Sequence, residues 1–285
     1  MKKIITNVVI ILSSLLMFVP TFQAYVYANQ IDSGEEAFEY ELAKENLSLV
    51  NSELTIENSE EVYTFTIETE TGESVDLKLN MDDSSVYAED VSDISGEVET
   101  YSLSIPEDTE IDRENISSDD FEEISIENET TGEIYEYEDI EGELSGLAIP
   151  YAIPITWSAL VALYKAGLAI IAAGATYIVA SHAVSKISNN KNRKNHYLAM
   201  LRGGTLYIGK GVSESQAVTQ LRSGRSTWSI SRNQAKIIAS KLAKGNAINE
   251  VDRNPNGTPK RGYYWHWHSS TRKPKGHHAF YGYPI

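Results

Sequence analysis

Between residues 62 and 79, apolar and polar side chains alternate with the two-residue period of a β-strand. Val62-Tyr-Thr-Phe-Thr-Ile-Glu-Thr-Glu70 and Val75-Asp-Leu-Lys-Leu79 flank Thr71-Gly72, a spacing that predicts a β-hairpin. Ile124-Ser-Ile-Glu-Asn128 and Ile134-Tyr-Glu-Tyr137, set around Thr130-Thr131-Gly132, predict a second one. The Asp/Ser runs Met81–Ser85 and Ser117–Asp120 read as loops. Residues 29–145 are therefore expected to be an acidic, β-rich leader, with a partly disordered pro-region as the alternative.

The pattern changes at residue 146. Gly146 to Tyr164 carries no charge, Lys165 interrupts, and Ala166 to Ser181 is again uncharged. Pro150 and Pro154 break the start, so the run predicts one apolar helix from about Ile155 to Lys186. Such a helix exceeds the roughly 20 residues that cross a bilayer. Lys165 splits it, however, and a charge in mid-membrane is costly. Two readings stay open: a membrane-active or translocation helix, and a buried helix or helical hairpin linking two domains.

Residues 190–285 carry helix and strand signals in mixed order. Thr205-Leu-Tyr-Ile-Gly209 reads as a strand, and Ser213-Glu-Ser-Gln216 is a capping box opening a helix that stops at Gly224. Thr227-Trp-Ser-Ile230 reads as a strand. Ser231-Arg-Asn-Gln234 repeats the box before Ala235, Ile238, Ala239 and Leu242 at helical spacing. Asn254 to Pro259 is a turn, and Tyr263–His268 and His277–Gly282 read as two strands joined by a basic loop. The expected fold class is thus multi-domain: an acidic, mainly-β N-terminal region, an apolar α-helical linker over 146–189, and a small α+β C-terminal domain with an antiparallel sheet.

Composition adds compartment and partners. Lys2 and Lys3, the apolar stretch Ile4–Val19 and the small-residue pattern Val26-Tyr27-Ala28 predict a signal peptide over residues 1–28, and hence a secreted, extracellular protein. The chain has no cysteine, which excludes disulfides and thiol catalysis. Its net charge of −17 hides a division. Residues 29–145 hold 38 Asp/Glu against 3 Lys/Arg, while residues 146–285 hold 3 against 19. The basic part is suited to polyanions, and the acidic part is suited to contact it within the molecule.

Four of the six histidines lie between His266 and His278. On a strand, His266 and His268 share one face and Trp265 and Trp267 the other; His278 falls on one face of the next strand with Phe280. Pairing of the strands would bring His266, His268 and His278 together, with Arg272, Lys273, Lys275 and Tyr281 nearby as substrate-binding groups. Two chemistries fit such a patch. One is metal-free acid/base cleavage of RNA, in which imidazoles exchange protons and cations stabilise the phosphorane. The other is a metal held by the same three histidines. The only acids in this domain are Glu214, Glu250 and Asp252, a scarcity that favours the metal-free form, with no cofactor.

His266-Trp267-His268, a short basic loop, and His278-Ala279-Phe280-Tyr281-Gly282 resemble the ending of putative secreted polymorphic-toxin domains from Gram-positive bacteria. Ser226 to Ala239 also resembles the strand and alanine-containing helix of those domains. The chain has Trp267 where that family more often has Tyr, and it continues beyond the Tyr-Gly with Tyr283-Pro-Ile285. The resemblance covers about a third of the chain. It implies a delivered toxin, often supposed to be a ribonuclease, acting on nucleic acid and accompanied by a cognate immunity protein. The remaining readings are a membrane-active toxin working through the apolar helix, with transient membrane contact, and a non-enzymatic surface-binding protein.

Overall fold

The alternating segments of the acidic half pair with one another in chain order. In this computed structural model the described residues are 33–91, 98–111, 116, 118–136 and 149–285; the expected signal segment 1–28 lies outside them. Helix α1 (Ser33–Lys44) precedes strands β1 (Leu47–Glu57), β2 (Glu60–Thr69), β3 (Ser74–Asn80), β4 (Val86–Asp90), β5 (Thr100–Ser104), β6 (Ser125–Asn128) and β7 (Ile134–Tyr135). These seven strands form an antiparallel meander in which each pairs with the next. In the expected first hairpin, Tyr63, Phe65 and Ile67 of β2 stand across from Leu79, Leu77 and Val75 of β3. All six are buried, so one face of the sheet is a continuous apolar row. Phe38 of α1 meets Phe65 edge-on at 5.5 Å between ring centroids.

The apolar stretch does not form the expected long helix. Helix α2 (Ala152–Lys165) has 14 residues, about 21 Å at the α-helical rise. It ends where Gly167 takes a left-handed φ of 69° and Leu168 N–H donates to the Leu163 carbonyl at 3.2 Å, the closure of a Schellman-type stop. Strands β8 (Ala169–Ala172) and β9 (Ala175–Val179) follow, then helix α3 (Ala180–Asn189). The hairpin turns through Ala173 and Gly174, both at positive φ (52° and 68°). Two such residues in succession suit the twist of paired strands. No helix of the described residues is long and apolar enough to cross a membrane. The apolar composition of α2 instead reflects burial of most of its surface against β2–β4 and β8.

The C-terminal stretch continues this second sheet rather than building a small sheet of its own. Strands β10 (His196–Arg202), β11 (Thr205–Val212), β12 (Ser226–Ser229), β13 (Ile248–Glu250), β14 (Trp265–His268) and β15 (Ala279–Tyr281) join β8 and β9 in the order β13-β14-β15-β12-β10-β11-β9-β8. β9 pairs with β11 through Val179↔Tyr207 and Ile178↔Ile208, and β12 runs parallel to β15. Helices α4 (Glu214–Arg222) and α5 (Arg232–Ser240) cover one face of the β12–β15–β14 end. Ser213 and Gln216 form the full reciprocal capping box predicted for α4.

These findings correct the expected fold class. The described chain is mostly β, 37% strand against 24% helix, in two sheets, and no apolar linker helix separates an N-terminal from a C-terminal part. One buried cluster runs from Phe38 to Phe280 and includes α2, β8 and β9. Connecting segments of the first sheet also meet the second by backbone: Ile111 and Ile171 exchange both N–H···O bonds at 3.0 Å, and Gly211 N–H donates to the Met81 carbonyl at 3.1 Å.

Candidate functional site

Three strands deliver the site. β14 and β15 pair antiparallel with His266 across from Phe280 and Trp267 across from Ala279. One further step in that register sets His268 opposite His278. Strand alternation sends Trp267 and Ala279 the other way, into the cluster with Ala235, Ile238 and Ala239 of α5. There Arg232 and Lys236 lie over the Trp267 ring at 5.3 and 5.5 Å, so this indole is a packing element and is closed to stacking with a base.

The three histidines form a tight triangle. Ring centroids are 5.0 Å apart for His266 and His268, and 4.8 Å for each of the other two pairs. One nitrogen from each ring lies within 4.8 Å of the others. His266 is 2% exposed and His268 8%. His266 Nδ1 lies 3.2 Å from the Tyr264 carbonyl, to which it can only donate, leaving its lone pair on Nε2.

A carboxylate completes the cluster. β13 pairs with β14 so that Glu250 faces His266. Glu250 Oε1 is 3.0 Å from His268 Nε2 and 3.8 Å from His266 Nε2. Arg272 clamps the same carboxylate with both terminal nitrogens at 2.5 Å. Glu250, one of the three acids whose scarcity favoured a metal-free reaction, thus stands inside the histidine patch. The Arg272 hydrogen bond lowers the Glu250 pKa and keeps it ionised. Burial, followed by repulsion from the neighbouring imidazoles, holds His268 and His278 down at about 4. Burial likewise lowers His266. At neutral pH the triangle is thus a set of uncharged imidazoles beside one anion.

His278 connects the triangle to solvent. It lines a cleft of about 490 Å³ with Ser226, Arg225, Gln220, Tyr177 and Glu110, and its Nδ1 is 3.4 Å from Ser226 Oγ. Lys273 and Lys275 are exposed on the loop between the histidine strands. Arg272 is engaged by Glu250, and Tyr281 donates its hydroxyl to Asn249 Oδ1 at 2.8 Å, so these two expected substrate groups have intramolecular partners. His277 is a structural residue: Nδ1 donates to the Pro274 carbonyl, and Nε2 accepts from Ser269 N–H at 3.1 Å. His196 bonds Ser229 Oγ at 2.9 Å, and His182 sits 3.3 Å from Glu35, both away from the triangle.

Sequence reasoning missed Glu250 and the cleft-lining Arg225, Gln220 and Ser226. The available signal for Glu250 was its rarity, since it is one of three acids in residues 146–285. Its three-residue strand gave no pattern to say which histidine it would meet.

No protein-family model, curated protein or solved structure matches this chain.

Proposed function

We propose that the protein is an exported bacterial toxin whose histidine triangle cleaves phosphodiester bonds of RNA. The observation that carries this reading is the placement of His278, which belongs at once to a preassembled group of three imidazoles and to the wall of a cleft bearing Arg225. Neutral imidazoles are competent to take a proton or to offer a lone pair at the reacting centre. Arg225, and the exposed Lys273 and Lys275 at the loop, supply positive charge for the phosphates. The toxin part of the reading rests on the resemblance of the His266-Trp267-His268 and His278-to-Gly282 motifs, and export rests on the signal-like residues 1–28. Glu250 removes the ground on which a metal-free reaction was favoured, because an ionised carboxylate now stands within the site. The test is incubation of the purified full chain with a single-stranded RNA and its DNA counterpart. Cleavage of the RNA with the DNA left whole is expected; both strands surviving at micromolar protein would overturn the reading.

A further inference from the structure

We propose that His266, His268 and His278 form a binding site for one divalent transition-metal ion, zinc by the chemistry of its donors, with Glu250 as the carboxylate that positions the ligands. This shares the site with the nuclease reading but stands on ligand geometry, and it does not require RNA to be the substrate.

Three imidazoles, two on β14 and one on the residue before β15, come together with one nitrogen of each inside 4.8 Å of the others. A tetrahedral zinc with bonds of roughly 2.0–2.1 Å needs ligand nitrogens roughly 3.3 Å apart. Separations of up to 4.8 Å would therefore shorten by up to about 1.5 Å on metal binding. The rings meet edge to face, at interplanar angles of 89°, 89° and 62°. They do not stack, which leaves room for nitrogen lone pairs to converge between them.

The surroundings have the arrangement that ligating histidines use. Such a histidine normally gives its second nitrogen to a carbonyl or carboxylate, which fixes tautomer and ring orientation. His266 has the Tyr264 carbonyl in that role at 3.2 Å, and His268 has Glu250 at 3.0 Å. Glu250 is in turn held by Arg272, so the carboxylate cannot swing away. Contrast His277, both of whose nitrogens are occupied by backbone groups.

The donor set selects the ion. Three nitrogens without a thiolate suit zinc and its late first-row neighbours, whereas magnesium and calcium demand mostly oxygen. Three protein ligands also leave a coordination position open. His278 lies on the cleft wall, so small molecules approach the site from that side.

The experiment uses the full-length protein, stripped with chelator, dialysed, and titrated with zinc or cobalt(II). One equivalent per chain is expected, with the visible absorption bands of four-coordinate cobalt and with imidazole NMR shifts confined to His266, His268 and His278. H268A and H278A are expected to lose stoichiometric binding while keeping the wild-type circular dichroism; H196N is expected to keep it. Glu250→Gln tests the positioning role: binding stays at one equivalent, but affinity falls about 10- to 100-fold. Binding that is absent from the wild type, or unchanged in H268A and H278A, overturns the site. Should those two variants fail to fold, the NMR shifts in the wild type decide alone, and shifts elsewhere overturn it. RNA cleavage without metal binding defeats this inference and spares the nuclease reading; metal binding without cleavage does the reverse.

Discussion

Two carboxylates, Glu61 buried and Glu35 half-buried, show how environment decides what a single residue does. Glu61 is 1% exposed. It accepts from the Tyr197 hydroxyl at 2.7 Å and from Lys194 N–H at 3.2 Å, across the junction between the sheets. Burial raises its pKa despite these bonds. Glu61→Ala strands the buried Tyr197 hydroxyl, at about 1–3 kcal/mol, while Lys194 N–H keeps the Tyr197 oxygen at 3.0 Å; Glu61→Gln retains an acceptor. A raised carboxyl pKa means the native state holds its proton longer than the unfolded chain. Wild-type stability therefore falls as pH rises through that window, and the Gln variant is spared this fall. Urea unfolding of both variants at several pH values checks the order; an Ala variant as stable as Gln contradicts it. Glu35 has the opposite shift, drawn to about 2 chiefly by its hydrogen bond to His182. Its stabilisation is present above the ordinary carboxylate pKa and is lost as pH falls towards about 2. Melting temperatures of wild type and Glu35→Gln should converge over that acid range, and a constant gap between them would count against the pairing.

At the scale of elements, what was legible followed from local pattern. The Thr71-Gly72 hairpin and the capping box at Ser213 were readable because alternation and cap chemistry are set within a few residues. The placement of His266 and His268 on one face was readable for the same reason. The α2–β8–β9–α3 stretch was not, because a run of Ala, Ile and Leu reads alike as helix or buried strand. Gly167 and Gly174 held the missing punctuation. Gly174 offers a direct test of the hairpin. A Cβ there would lie 2.8 Å from the Glu107 Cα, whereas one at Gly72, also at positive φ, meets nothing within 4 Å. Both Gly→Ala changes carry backbone strain of about 1 kcal/mol or more. Gly174→Ala should cost distinctly more in denaturant midpoint, since it also pushes the hairpin off the backbone of residues 106–107. Equal costs at the two sites would mean that this contact is not made.

Across the whole molecule, opposite charges come to lie in one unit, Gly34–Ile285. Lys194 sits 3.5 Å from Asp82, and Arg202 3.6 Å from Glu110, which is itself on the cleft wall. No local pattern could place Glu110 or Glu250, because both reach the site only through sheet order and long-range packing. A carboxylate at that wall repels phosphate, so Glu110→Gln should tighten RNA binding several-fold at low salt, the gain shrinking as salt screens the charge. Affinity that is unchanged at every salt concentration would put RNA elsewhere on the surface. The proposed function places the chemistry on the triangle of His266, His268 and His278. It is tested most directly by the rate of RNA cleavage in H266A, H268A and H278A beside H196N, with circular dichroism confirming the fold. A loss of about 10²- to 10⁴-fold is expected in each triangle variant, with a wild-type rate in H196N. Wild-type rates in all four would contradict it.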